Sequence, residues 1–242
     1  MELAGKVALV TGGAVRIGRA LALALAGSGV RVALHYGQSR AAAEDTATVV
    51  RAMGVDVELL GVDLRSAAQA AGLVDRAVAR FGRVDILVNS AAVFGPGELA
   101  DATEALWDEQ FAINLKAPFF LSRAFAFHLG KEHPGEIVNI ADWRAVRPDP
   151  FHIPYTLTKA GIITMTKSLA RALAPNIKVN AIAPGAILPP PGENEEYLVR
   201  LAERIPLKRH GGPEDVAQAL LYLLKAEFVT GQVLFVDGGE SL

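Results

Sequence analysis

The 242-residue sequence predicts an α/β domain built on a doubly wound, parallel, seven-stranded sheet with helices on both faces. Three observations carry that expectation. Short apolar runs of strand length alternate with longer alanine- and leucine-rich segments of helical pattern, and the first run leads into Thr11, Gly12 and Gly13 before a helical segment. Polar residues also recur where the apolar runs stop, which is where the crevice of a parallel sheet lies.

Composition narrows the field. With 51% hydrophobic residues, the chain can bury one large core, and a single domain over residues 1–242 is expected. The net charge is −2, with 24 basic and 26 acidic residues scattered along the chain, so nucleic acid is not expected as a partner. The absence of cysteine excludes disulfides, thiolate catalysis and cysteine zinc sites, and no metal site is predicted. No apolar run resembles a signal peptide or membrane span, so a soluble cytoplasmic protein acting on a small molecule is expected.

In chain order, residues 7–10 read as the first strand, and a helix follows from about Gly18. Glycines at such a turn let backbone approach a ligand, and the amides at the helix start suit a pyrophosphate. The second strand, residues 30–34, is followed by His35, Tyr36, Ser39 and Arg40. This is where a dinucleotide site reads the adenosine ribose, with an acid for a free 2′-hydroxyl or basic groups for a 2′-phosphate. No acidic residue occurs between Gly12 and Glu44, whereas Arg16, Ser39 and Arg40 are available to phosphate, so NADP is favoured over NAD. Alternatively Arg40 only begins the next helix and faces water.

The third strand, residues 57–62, ends at Asp63 and Leu64, and the fourth, residues 84–88, ends at Asn89, Ser90 and Ala91. Asp63 and Asn89 are expected to face the same crevice as Gly12, although helix capping and turn holding are commoner uses of these residue types. Two helices, 103–114 and 116–131, are predicted to be separated by little more than Leu115, with Asn114 as a polar exception in an aromatic stripe. Aromatic residues left on the outer face would pack against a second subunit. Strands follow at 136–140, 176–182 and 233–236, with Asp142 just beyond the fifth and Pro184 and Gly185 ending the sixth. Residues 186–207 contain a run of prolines and then a helical segment, and their place after a strand end predicts a substrate lid.

Tyr155 and Lys159 lie four residues apart in a helix entered through Pro154, so they share one face. A phenol near a cation has a lowered pKa and can serve as a general acid/base. That spacing is common on surface helices, and the surrounding chain gives it meaning.

Thr11-Gly12, Asp63, Asn89, Asn114, Tyr155 with Lys159, Pro184-Gly185 and the terminal Val236-Asp237-Gly238-Gly239 together resemble the short-chain dehydrogenase/reductase family along essentially the whole chain. The resemblance implies a Rossmann-like domain, hydride transfer with a nicotinamide cofactor, and a homotetramer packed through the long helices. It gives proton transfer to Tyr155, tuning of that tyrosine to Lys159 and a proton-relay water to Asn114. Cofactor contacts are implied for Gly12, Arg16, Ile17 and Gly18, for His35, Tyr36, Ser39 and Arg40, and for Asp63 and Leu64. They are implied also for Asn89, Ser90 and Ala91, for Tyr155 and Lys159, and for Pro184, Gly185 and Ile187.

Two departures sharpen the resemblance. Arg16 stands where the family usually has glycine, and Asp142 stands where it usually has serine thirteen residues before the tyrosine. Both, with His35-Tyr36 and Phe94, resemble the pteridine reductase branch, in which the phenylalanine stacks the pterin against the nicotinamide. Ser90 and Ala92 depart from that branch, where asparagine and serine are commoner. An ionised carboxylate at 142 would repel an alkoxide but can accept from ring N–H donors. The expected activity is therefore NADPH-dependent reduction of pteridine-like substrates, with Arg16, Phe94, Asp142 and Tyr155 at the substrate. The alternatives are an NADPH-linked reductase of 3-oxoacyl thioesters or small ketones, and a non-catalytic NADP-binding protein.

Overall fold

A computed structural model describes residues 1–130, 133–190 and 192–242. Seven strands form one parallel sheet in the order β3-β2-β1-β4-β5-β6-β7. They are β1 (Val7–Val10), β2 (Arg31–Tyr36), β3 (Val57–Gly61), β4 (Ile86–Asn89), β5 (Gly135–Ile140), β6 (Ile177–Pro184) and β7 (Val233–Val236). The order reverses between β1 and β4, which opens a crevice at the carboxyl ends of the strands.

Helices α1 (Arg16–Gly27), α2 (Arg40–Ala52) and α3 (Ala67–Phe81) connect the first four strands. The side-chain alternation of β1 shows how both faces are covered. Ala8 and Val10 join Leu21, Leu25 and Val50 in one core, while Val7 and Leu9 join Leu73, Leu121 and Phe125 in the other. Strands buried on both faces explain why the sequence reads as continuous apolar runs rather than alternating ones.

Two sequence expectations need correction. The second strand does not stop at Leu34: His35 and Tyr36 belong to it, because they pair with Leu60 and Gly61 of β3. Nor does the chain break at Leu115. Helix α4 (Glu104–Phe111) runs through a π-helical turn (Ala112–Lys116) into α5 (Ala117–Leu129). Pro118 has no N–H to offer the carbonyl four residues back, that of Asn114, so a regular α turn would be incomplete here. The predicted end of this segment at Lys131 lies outside the described residues.

Helix α6 (Ile153–Leu173) begins with Pro154 in its first turn and carries Tyr155 and Lys159 on its buried side. Beyond β6 come α7 (Glu195–Ala202), capped by the Asn194 side chain, and α8 (Pro213–Lys225), whose apolar face packs against α1. No helix among the described residues is long and apolar enough to cross a membrane.

Candidate active site

A cavity of about 720 Å³ lies at the carboxyl ends of the strands and runs from the first turn to α6 and α7. Its floor is backbone brought close by glycine. Gly12 has φ +65°, and a Cβ there would lie 2.8 Å from Ala91 Cα. A Cβ on Gly18 would fall 2.0 Å from the Gly12 carbonyl oxygen, so the start of α1 can rest on the turn only with glycine there. The Thr11 hydroxyl accepts from the Ser90 and Ala91 amides at 3.0 and 3.1 Å, fastening the β4 exit to the turn.

The His35 ring lies beneath the turn. Its Nδ1 accepts from the Gly12 amide at 3.1 Å, which leaves the Nε2 proton for the Val62 carbonyl, also at 3.1 Å. Burial lowers its pKa and keeps it neutral, as this bonding requires. Arg16, Ile17, Tyr36, Ser39, Asp63 and Leu64 line the same end, and the Asp63 carboxylate is held below its ordinary range by hydrogen bonds from Arg65. Arg16 has φ +53° and donates from Nη2 to the Pro189 carbonyl at 2.7 Å.

Two of the residues expected at the cofactor do not line the cavity. Arg40 begins α2 and turns to Glu44 at 3.8 Å on the exposed helix surface, outside the cavity lining. The Asn89 side chain turns into the core, where its amide donates to Asn139 Oδ1 at 2.8 Å and to the Ser122 hydroxyl at 3.3 Å. An Asn at the last position of a strand points to one face or the other according to the pleat, and here it joins β4 to β5 and α5.

At the other end of the cavity, the Tyr155 hydroxyl donates to Asp142 Oδ2 at 2.9 Å. Phe94 meets Tyr155 edge-on, with ring centroids 4.8 Å apart, and stacks on His152 at 4.5 Å. Strand-like bonds from Gly97 to Phe151 and Ile153 hold the Phe94 segment against the start of α6. Asn114 is clamped rather than free: its amide donates to the Val93 carbonyl, its oxygen accepts from the Val93 N–H, and Gln110 takes the second amide proton. The side chain thus satisfies the local backbone beside Phe94.

Asp142 makes the contact to the Tyr155 hydroxyl; Lys159 lies farther off, its Nζ 5.6 Å from the Tyr155 ring centroid. Its ammonium donates to the Ile140 carbonyl at 2.7 Å, and burial brings its own pKa down to about 8. Burial, with Asp142 adding charge and a hydrogen bond, raises Tyr155 well above the ordinary phenol value, and Arg144 is the cation that opposes the rise. Tyr155 is therefore a held proton, suited to donate rather than to abstract.

A sequence model of the family described as enoyl-(acyl carrier protein) reductase matches residues 13–241. The 3-oxoacyl-[acyl-carrier-protein] reductase FabG of Thermotoga maritima is 36% identical over 244 residues, 99% of each chain. Among solved structures, FolM alternative dihydrofolate reductase 1 from Brucella canis, complexed with NADP, superposes with a TM-score of 0.94 at 35% identity, covering 99% of this chain and 95% of that one. A short-chain dehydrogenase/reductase from Serratia marcescens superposes with a TM-score of 0.93 at 34% identity over the whole of both chains. The chain belongs to the short-chain dehydrogenase/reductase family. Its members use a nicotinamide cofactor, and the protein is an oxidoreductase of this kind. A Cβ at Gly12, Gly18 or Gly185 would meet the chain's own backbone at 2.8 Å or less, and the close packing that glycine allows leaves the cavity floor open beside the start of α1, a place that fits a pyrophosphate.

Several lining residues of this short-chain dehydrogenase/reductase were not predicted as site residues. Arg144, which the sequence offers only as a salt-bridge partner of Asp142, lies in the cavity wall 3.6 Å from that carboxylate, with Nε on Asp149 at 2.7 Å and its guanidinium over the Phe94 and Trp143 rings. Glu240 enters from the far end of the chain. Tyr197, Leu198 and Leu201 of α7 complete the wall within residues 186–207; Pro191 of that segment lies outside the described residues. Arg144 and Asp149 stand near Asp142 in sequence, which was a usable signal, whereas nothing local marks Glu240. No cluster of side chains able to hold a metal occurs among the described residues.

Proposed function

We propose that the protein is an NADPH-dependent reductase of pteridine-like substrates such as dihydropterins or dihydrofolate. One observation carries this reading: the carboxylate of Asp142 accepts the Tyr155 proton at 2.9 Å. The family commonly uses a hydroxyl at that position to steady a ketone oxygen. A carboxylate accepts from ring N–H groups, and once the ring takes the phenol's place on Asp142 the Tyr155 hydroxyl is released to donate to a ring nitrogen. Phe94 lines the same wall edge-on to Tyr155, and a flat ring would stack on it by taking the place of His152 or Arg144. The likeness to an alternative dihydrofolate reductase solved with NADP supports the same substrate and cofactor.

The bound nicotinamide would supply the hydride. The chain's own residues would do the rest: Gly12, Arg16, Tyr36 and Ser39 hold the adenosine and phosphate end, Lys159 stands near the nicotinamide ribose, and Tyr155 delivers a proton from its hydroxyl. Residues 186–207 act as the lid, with Tyr197, Leu198 and Leu201 facing the substrate. An apolar groove of about 1000 Å³ along α4, α5 and α6, lined by Phe111, Leu115, Phe119 and Met165, supports assembly with further copies of the chain.

A second reading, reduction of 3-oxoacyl thioesters, is favoured by the FabG relatives and by Arg144, which offsets the Asp142 charge at 3.6 Å. NADPH oxidation with dihydropterins, dihydrofolate, a 3-oxoacyl thioester and simple ketones separates the two. Turnover confined to pteridines is expected, and turnover confined to oxo substrates would replace the first reading by the second.

A further inference from the structure

Two acidic side chains in the cavity wall, Glu109 and Glu240, are left unused by the roles above; Glu109 has Arg65 at 3.9 Å, whereas Glu240 has no ion pair among the described residues. Beyond β7 the Asp237 carboxylate accepts from the Gly239 and Ser241 amides at 2.9 and 3.0 Å, and Gly238 and Gly239 take φ +64° and +92°. This turn folds the tail back over the end of β6. Arg147 fixes it there, donating from Nη1 to the Glu240 carbonyl at 2.7 Å and to that of Leu242 at 3.0 Å. The Glu240 side chain is thereby delivered to the wall that also contains Asp142, Arg144 and Tyr155.

Its carboxylate is only half satisfied. Oε2 accepts from the Ala186 amide at 3.0 Å, and no other described residue donates to the group or forms an ion pair with it. The contact is close packed: a Cβ on Gly185 would lie 2.7 Å from both Glu240 Oε2 and Asp237 Cα. Burial raises the carboxyl pKa, Asp142 and Asp237 add to the rise, and Arg144 opposes it. The other oxygen is not a buried atom left without a partner, so it is accessible from the cavity and can accept from a ligand that displaces water there.

We infer that Glu240 is a substrate-specificity residue whose open oxygen accepts from an amidine-like N–H edge of the substrate, such as the 2-amino-pyrimidinone edge of a pteridine. The inference deepens the pteridine reading and rests on it. Two carboxylates, Asp142 and Glu240, then meet a ring with donors on two sides, and Arg144 is left for a ring carbonyl. An oxoacyl thioester has no N–H group at its reacting end and would leave Glu240 unpaired, and a site built for such hydrogen bonds rejects a ligand without them.

The test uses the full-length protein saturated with NADP. Binding of a 2-amino-4-oxo-dihydropteridine and of its analogue lacking the 2-amino group is measured by titration calorimetry, on the unaltered protein and on Glu240→Gln. The unaltered protein is expected to bind the 2-amino compound at least tenfold more tightly than the analogue. Glu240→Gln, which keeps an oxygen for Ala186, is expected to erase most of that preference while the KM for NADPH stays unchanged. Equal affinities on the unaltered protein, a preference that survives Glu240→Gln, or a change confined to NADPH would overturn the inference; the last would assign Glu240 to the nicotinamide carboxamide. Failure of either pteridine to bind the unaltered protein would overturn the functional reading and this inference with it.

Discussion

The two edges of the sheet treat buried charge in opposite ways. At the amino edge, Asp85 is fully buried but accepts from the Val7 amide at 2.9 Å and has both Lys6 and Arg83 beside it. Glu136, 3% exposed, has Lys178 at 3.0 Å. At the carboxyl edge, Lys159 is just as buried, yet its one hydrogen bond among the described residues goes to a carbonyl, and the half-buried Glu240 has only an amide. Charges are closed off where the sheet needs only to hold together. They are left open where a ligand will complete them.

That contrast can be broken in four ways. Tyr155→Phe, at the open edge, is expected to lower kcat by about 10³-fold while changing unfolding free energy by about 1 kcal/mol or less. NADPH oxidation and urea unfolding read the two effects, and a retained kcat would deny the tyrosine its role. Asp85→Ala, at the closed edge, is expected to do the reverse, costing about 3 kcal/mol in urea unfolding because Val7, Lys6 and Arg83 lose their shared partner. The kcat of the folded protein should stay as it was.

Glu136 sharpens the comparison through pH. Burial outweighs Lys178 and raises its carboxyl to about 7. The folded state therefore holds a proton that the unfolded state has released, and stability falls as pH rises from about 4.5 to about 7. Glu136→Gln should flatten that fall by about 2 kcal/mol, measured as the difference in unfolding free energy between pH 5 and pH 8. An unchanged slope would place the titration elsewhere.

The smallest effect is expected at Lys159. Its pKa of about 8 lies below the ordinary 10.5, so the charged form destabilises the fold at neutral pH, and the cost fades as pH rises through 8 towards 10.5. Lys159→Met should gain about 1 kcal/mol at pH 7 and lose the gain near pH 10.5, even as turnover falls. Loss of stability instead would make the lysine a structural residue.

Much of this was legible in the sequence because strands buried on both faces leave long apolar runs, and the ends of those runs mark the crevice. Gly12 and Asp142 could be placed from the run ends, and Tyr155 with Lys159 from their spacing in a helix together with the family resemblance. What failed depended on direction and distance. Asn89 sits at the predicted strand end, but the pleat turns it inward. Arg40 has the right charge, but the helix it starts points it at Glu44. The spacing of Tyr155 and Lys159 did not show that the lysine would donate to a backbone carbonyl while the aspartate thirteen residues before the tyrosine makes the contact to its hydroxyl. Glu240 was invisible because only the pairing of β7 with β6 brings the end of the chain to the site.

The π-helical turn at Ala112–Lys116 has a consequence for how this region can vary. A π turn is an α-helix with one residue too many, so the segments before and after it are out of step by about 100°. The aromatic stripe of α5 and the Trp107–Phe111 stack of α4 are each in phase with their own neighbours only because the surplus residue absorbs the offset. Shortening the stretch by one residue would give a more regular helix and a misaligned one: either Asn114 swings off Val93 or Phe125 swings out of the core. In this chain, length at that point is a specification as strict as residue identity.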